Sequence, residues 1–141
     1  MKYTLEIQKR LLQVENGNLS PHEKALLLKE AIRIADENDD PQWAVEMRLD
    51  LIYELNLLSQ AEEEIAVFSR ILDDYENNKD LISENDILWK YKWICGAAFD
   101  VPEVSQSQID AILEDFKIRT LRNGYSARAY YHLLFLHYNR M

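Results

Sequence analysis

Ser20-Pro21-His22-Glu23-Lys24-Ala25-Leu26-Leu27-Leu28-Lys29-Glu30-Ala31-Ile32-Arg33-Ile34-Ala35-Asp36-Glu37-Asn38-Asp39-Asp40-Pro41 holds a helix start, a helix body, an exit and the start of a second helix in one run. Ser20 stands at a cap, Pro21 at the first helical position and Glu23 at the third. That pattern satisfies orphan backbone donors from both the Ser and the Glu side chains. Asp40-Pro41 repeats the cap and proline at the next start, and the short polar stretch between the helices makes them antiparallel neighbours.

Working outward, Ser59 with Glu62 and Ser105 with Gln108 read as further capping boxes, and Ser126 reads as the cap of a last helix. The helical segments expected are 2–16, 21–38, 41–57, 60–78, 85–99, 106–122 and 127–141, with no strand. In 60–75, Ala61, Ile65, Phe68, Ile71, Leu72 and Tyr75 fall on one stripe, leaving Glu62, Glu63, Asp73 and Asp74 toward water. Segment 106–122 behaves likewise through Ile109, Ile112, Leu113, Phe116 and Leu121. Pro102 breaks the longest connection, Asp100–Val104.

A shift of about 44 residues lays Val45, Met47, Leu49 and Leu55 over Trp89, Tyr91, Trp93 and Phe99, so the repeating unit is a helix pair of about 40 residues. One helix pair cannot bury its apolar face alone, and neighbours must stack. The fold class expected is all-α, an α-α superhelix of about three antiparallel helix pairs in one domain over 1–141.

Lys24–Ala35, followed by Asp36–Pro41, resembles the second helix and exit turn of long tetratricopeptide repeats. In that family a bulky residue precedes a small one by three positions where two helices touch, and Leu28 with Ala31 matches that place. In the following unit Phe68 matches the bulky position, while Ile71 replaces the small residue and Glu64 stands where Ala is usual. The resemblance implies that first helices line a concave face, so binding would fall on 41–57 and 85–99. The family's clamp for terminal carboxylates needs several bases on first helices, and 41–57 has only Arg48. No carboxylate clamp is expected.

Charge narrows the partner. The formal net charge of −9 is uneven: residues 36–86 carry three Lys/Arg against sixteen Asp/Glu, while both flanks are slightly basic. An acidic middle repels phosphate and favours a basic protein or peptide, unless it is simply a solvated surface. No nucleic acid, membrane, metal or cofactor is expected as a partner, and no apolar run is long enough to span a bilayer, which points to the cytoplasm. On 41–57, Trp43, Glu46, Asp50, Tyr53 and Glu54 share an arc with Gln42, and this interleaving of acids with aromatics is the candidate partner-binding surface. The bland alternative packs Trp43 and Tyr53 against adjacent helices. Arg48, on the opposite apolar side, needs a carboxylate partner or a snorkelling stem.

Other constellations read as structure. Trp89, Tyr91, Trp93 and Phe99 are expected in the core, and Gly96-Ala97-Ala98 where another helix comes close. Cys95, the single cysteine, reads as a buried thiol. Lys117, Arg119, Arg122 and Arg128 either complement a helix end or contact an anion. No phosphate loop, nucleophile elbow or zinc-spaced histidine pair occurs, so the chain is expected not to be an enzyme.

Segment 127–141 is apolar on every side of its wheel. Tyr130, Tyr131, Leu134, Phe135 and Tyr138 therefore form an expected interface, either with a missing repeat of a longer solenoid or with a second copy in a homodimer. The function expected is a non-catalytic binding scaffold; the alternative is a regulatory or sensor domain whose effector lies elsewhere.

Overall fold

The computed structural model describes residues 9, 12, 18–99 and 101–124. Among them every regular element is a helix: α1 (Pro21–Glu37), α2 (Pro41–Leu57), α3 (Ala61–Asn77), α4 (Glu84–Phe99) and α5 (Gln106–Arg122). Five expected segments are present to within one residue at each end. The bulk of segment 2–16, and all of 127–141 with Tyr130, Tyr131, Leu134, Phe135 and Tyr138, lie outside the described residues. The chain divides into two compact units, residues 1–82 and 83–141.

In the first unit α2 packs against both α1 and α3. Ser20 accepts from the Glu23 amide while Glu23 reaches back to the Ser20 amide, and Asp40 accepts from the Trp43 amide, so α1 and α2 start where their caps predict. The start of α3 departs from expectation. Its cap is Gln60, which makes no side-chain cap bond, and Ser59 instead adopts φ 57°. The Gln60 amide donates to Leu55 O (3.0 Å) and the Ser59 amide to Asn56 O (3.1 Å), closing α2 in a Schellman turn. The turn after α1 repeats this geometry, with Asp40 on Ala35 O (2.9 Å), Asp39 on Asp36 O (3.2 Å) and Asp39 at φ 53°. With three residues between helices, the second must be left-handed to end one helix, which leaves Ser59 unable to cap the next.

Ala25, Leu28, Ala31, Ile32 and Ala35 of α1 interlock with Ala44, Met47, Leu51 and Leu55 of α2. The alanines let the backbones approach, and each buried Leu or Met contributes about 1.5–3 kcal/mol. Leu28 and Ala31 are both buried, as their spacing suggested. A second buried line on α2, Val45, Arg48 and Ile52, explains why this helix looks apolar on more than one side. On that line Arg48 reaches Asp36 of α1 (2.5 Å) and Asp74 of α3 (3.7 Å). Arg70 holds Asp74 from within α3 (3.1 Å) and lies 4.0 Å from Asp36. The carboxylate partner that a buried arginine requires is thus supplied twice, from helices on both sides. Lys29 of α1 also pairs with Glu63 of α3 (2.6 Å).

In the second unit α4 and α5 form an antiparallel pair, since Tyr91 meets Asp115 while Glu84 meets Arg119. Tyr91 stands edge-on to Phe116, centroids 5.2 Å apart. Ser105 and Gln108 form the expected capping box at the start of α5. Other expectations are corrected. Trp89 is 64% exposed, so it is not core, and the 44-residue offset pairs a buried Val45 with a surface tryptophan. Leu121 is exposed, and Thr120 takes the buried place, its hydroxyl donating to Phe116 O (2.7 Å). Among the described residues no helix comes close at Gly96, where an added Cβ meets nothing within 4 Å, although Ala97 and Ala98 are buried.

Candidate functional site

The outward side of α2 carries Gln42, Glu46, Tyr53 and Leu57, spaced by four, seven and four residues and all exposed, with Asp50 beside them. Gln42 Nε2 donates to Glu46 Oε1 (2.8 Å), which orients that carboxylate along the helix surface. Tyr53 is 45% and Leu57 53% exposed. Apolar area thus sits next to carboxylates on one helix face, the composition suited to an amphipathic basic segment.

The five residues singled out from sequence divide three ways. Glu46, Asp50 and Tyr53 are on the surface, as expected. Trp43 is half-buried and packs against the α1–α2 core, the bland alternative for that residue. Glu54 is not a surface acid. It is 7% exposed, because position 54 lies three residues beyond Leu51 and seven beyond Met47 on the covered side of α2. Burial pushes its carboxyl above the ordinary range, with Asp50 adding to the effect and Lys24 opposing it. Its Oε2 has no hydrogen-bond partner among the described residues.

A second polar constellation lies in the other unit. Glu84, the first residue of α4, accepts from Arg119 Nη1 (2.7 Å), Arg122 Nε (3.0 Å) and Asn123 Nδ2 (2.5 Å) at the far end of α5, and from Arg122 Nη2. Burial alone would raise the Glu84 carboxyl, but the hydrogen bonds from Arg122, Asn123 and Arg119 and the Arg122 charge outweigh it and hold the group at about 2. Arg119 Nε also donates to Asp115 (2.8 Å), which accepts from the Tyr91 hydroxyl (2.6 Å). Sequence reasoning placed Arg119 and Arg122 at a helix end or an anion site and missed Glu84. A signal was present: Arg119 is three residues past Phe116 and ten past Ile109, on the buried stripe, so it required a carboxylate from a neighbouring helix.

Burial, and then the Asp115 charge, push the Cys95 thiol up to about 12. A thiol held there stays protonated at neutral pH, which suits the packing role read from sequence. Among the described residues no group of His, Cys, Asp and Glu is arranged to hold a metal ion. No described helix is long and apolar enough to cross a membrane. His22 is exposed, and His132 and His137 lie outside the described residues. Compared with family models, curated proteins and solved structures, the chain matches none of them.

Proposed function

We propose that this chain is a non-catalytic scaffold of the tetratricopeptide-like kind, which binds a basic protein or peptide segment along the outward face of α2. The observation that carries this reading is the exposure of Tyr53 and Leu57 on the face that also presents Glu46, with Asp50 alongside. Along this face the carboxylates of Glu46 and Asp50 are followed by Tyr53 and Leu57, so a charged half adjoins an apolar half on one helix. The aromatic ring offers area and a cation–π face to Lys or Arg, and the acids attract the same residues at longer range. Trp43 and Glu54 leave the contact set, which is now Glu46, Asp50, Tyr53 and Leu57. The starts of α1 at Pro21 and α3 at Ala61, 40 residues apart, agree with a repeating helix pair of about 40 residues, which supports a helical-repeat arrangement.

The test is titration of the protein with synthetic amphipathic helices of graded positive charge, followed by intrinsic fluorescence. Binding that strengthens with peptide charge and weakens with salt is expected. The double charge reversal Glu46→Lys with Asp50→Lys is expected to abolish it. Equal binding by that variant, or none by the wild type, overturns the reading.

A further inference from the structure

The C-terminal cap of α5 is built on Asn123-Gly124, a dipeptide with chemistry of its own. In an Asn-Gly pair the glycine backbone nitrogen can attack the asparagine Cγ, because no side chain on the following residue obstructs the approach. A bond forms between that nitrogen and Cγ, the Cγ–Nδ2 bond breaks, and ammonia leaves carrying the backbone N–H proton. Water then opens the resulting succinimide at one of its two carbonyls, giving aspartate or isoaspartate with no change in oxidation state.

The structure opposes each part of this reaction. Asn123 Nδ2 donates to Glu84 Oε1 (2.5 Å) and to Arg119 O (2.8 Å), so the amide is held at both of its hydrogens. The attacking nitrogen is also engaged, since the Gly124 amide donates to Leu121 O (3.1 Å). Asn123 sits at ψ 11°, its own amide tied to Arg119 O, which keeps the Gly124 nitrogen in the helical direction. Glu84 belongs to another helix, and it is the one partner in this set that is not local to α5.

We infer that Asn123-Gly124 is a latent deamidation site gated by Glu84, so that opening of the α4–α5 clamp converts the cap irreversibly. The device runs one way. Conversion replaces a two-fold donor with a carboxylate that can donate to neither Glu84 nor Arg119 O, and sets negative charge at the negative end of α5. The two Asn123 bonds that protected the site then cannot re-form, although Arg119 and Arg122 still reach Glu84. Each opening of the α4–α5 pair carries a chance of conversion, and the accumulated product records how often the pair has opened.

The test incubates the wild type and Glu84→Ala at mildly alkaline pH, with and without urea, and measures aspartate and isoaspartate at position 123 by peptide mass spectrometry. Asn16-Gly17, the chain's other Asn-Gly pair, calibrates the intrinsic rate in urea. Native wild type is expected to convert position 123 at least about ten-fold more slowly than the unfolded chain, as for any group whose reaction waits on local opening. Native Glu84→Ala is expected to lose most of that protection, while Arg122→Ala, which leaves the Glu84–Asn123 bond in place, keeps it. Circular dichroism verifies that the helices persist; if Glu84→Ala unfolds, Glu84→Met, of similar length and with no oxygen to accept from Asn123, takes its place. Equal rates in native and unfolded wild type overturn the proposal. So does a folded Glu84 variant that converts at the wild-type rate.

Discussion

Glu84 and Arg119, 35 residues apart in sequence, meet at 2.7 Å with each side chain only 7% exposed. The contact joins the first turn of α4 to the last turn of α5, and three side chains, Arg119, Arg122 and Asn123, donate to this one carboxylate.

Acid should therefore loosen the second unit. Glu84 is held near 2 in the folded chain against an ordinary value of 4.5. A depressed carboxylate contributes stability above its unfolded value and loses it as pH falls through the folded one, so the window is about 4.5 down to 2. The contribution is on the order of 2–3 kcal/mol. Urea unfolding followed by circular dichroism across that window should show a falling midpoint, and Glu84→Gln should flatten the fall.

Glu54 should act with the opposite sign. Its carboxyl is raised by burial, so the folded chain takes up a proton before the unfolded chain does, and the ionised form is a liability at neutral pH. Glu54→Gln is expected to raise the thermal midpoint at neutral pH. The advantage should shrink as pH falls toward the ordinary carboxylate value of 4.5 and the native residue becomes protonated. A lower midpoint for the variant at neutral pH would show that Glu54 is well partnered as an anion.

Arg48 offers an asymmetric pair of substitutions. Arg48→Met exchanges the buried guanidinium for apolar volume and leaves Asp36 and Asp74 with Arg70, so a cost within about 1 kcal/mol is expected. Asp36→Ala with Asp74→Ala strands the buried cation and should cost about 3 kcal/mol or more. Comparison of the two by chemical denaturation checks the ordering.

Two backbone positions should accept stabilising changes. Ser59 occupies left-handed space at φ 57°, and Ser59→Gly should gain about 0.5–1 kcal/mol by removing the Cβ conflict. Gly96 lies inside α4 with open space around its Cα, and Gly96→Ala should gain a similar amount, about 0.5–1 kcal/mol, from helix propensity. A rise in melting temperature for each variant is the readout. A fall for Gly96→Ala would reveal a close neighbour outside the described residues.

Much of the secondary structure was legible because its determinants are local. Ser20 with Glu23, Asp40 with Pro41, and Ser105 with Gln108 act across three residues or fewer, and those caps formed as read. The Ser59 cap failed because two local signals competed for three linker residues, and closing α2 took precedence. On the proposed binding face, Glu46, Asp50 and Tyr53 were legible from helical spacing, whereas Glu54 was not. Spacing places a residue at an angle on its own helix, but what covers that angle is set by another helix.

The amino-acid sequence by itself determined that the described elements are helical, where they begin and end, that residues 36–86 are acidic, and that Leu28 and Ala31 belong to a packed face. Tertiary structure alone decided which charges meet: Arg48 with Asp36 and Asp74, and Glu84 with Arg119, Arg122 and Asn123. The reason is range. A cap bond is closed within one turn of chain, while a pair such as Glu84 and Arg119 exists only after α4 and α5 have taken one antiparallel register, and that register is set by Tyr91, Phe116 and their neighbours packing together.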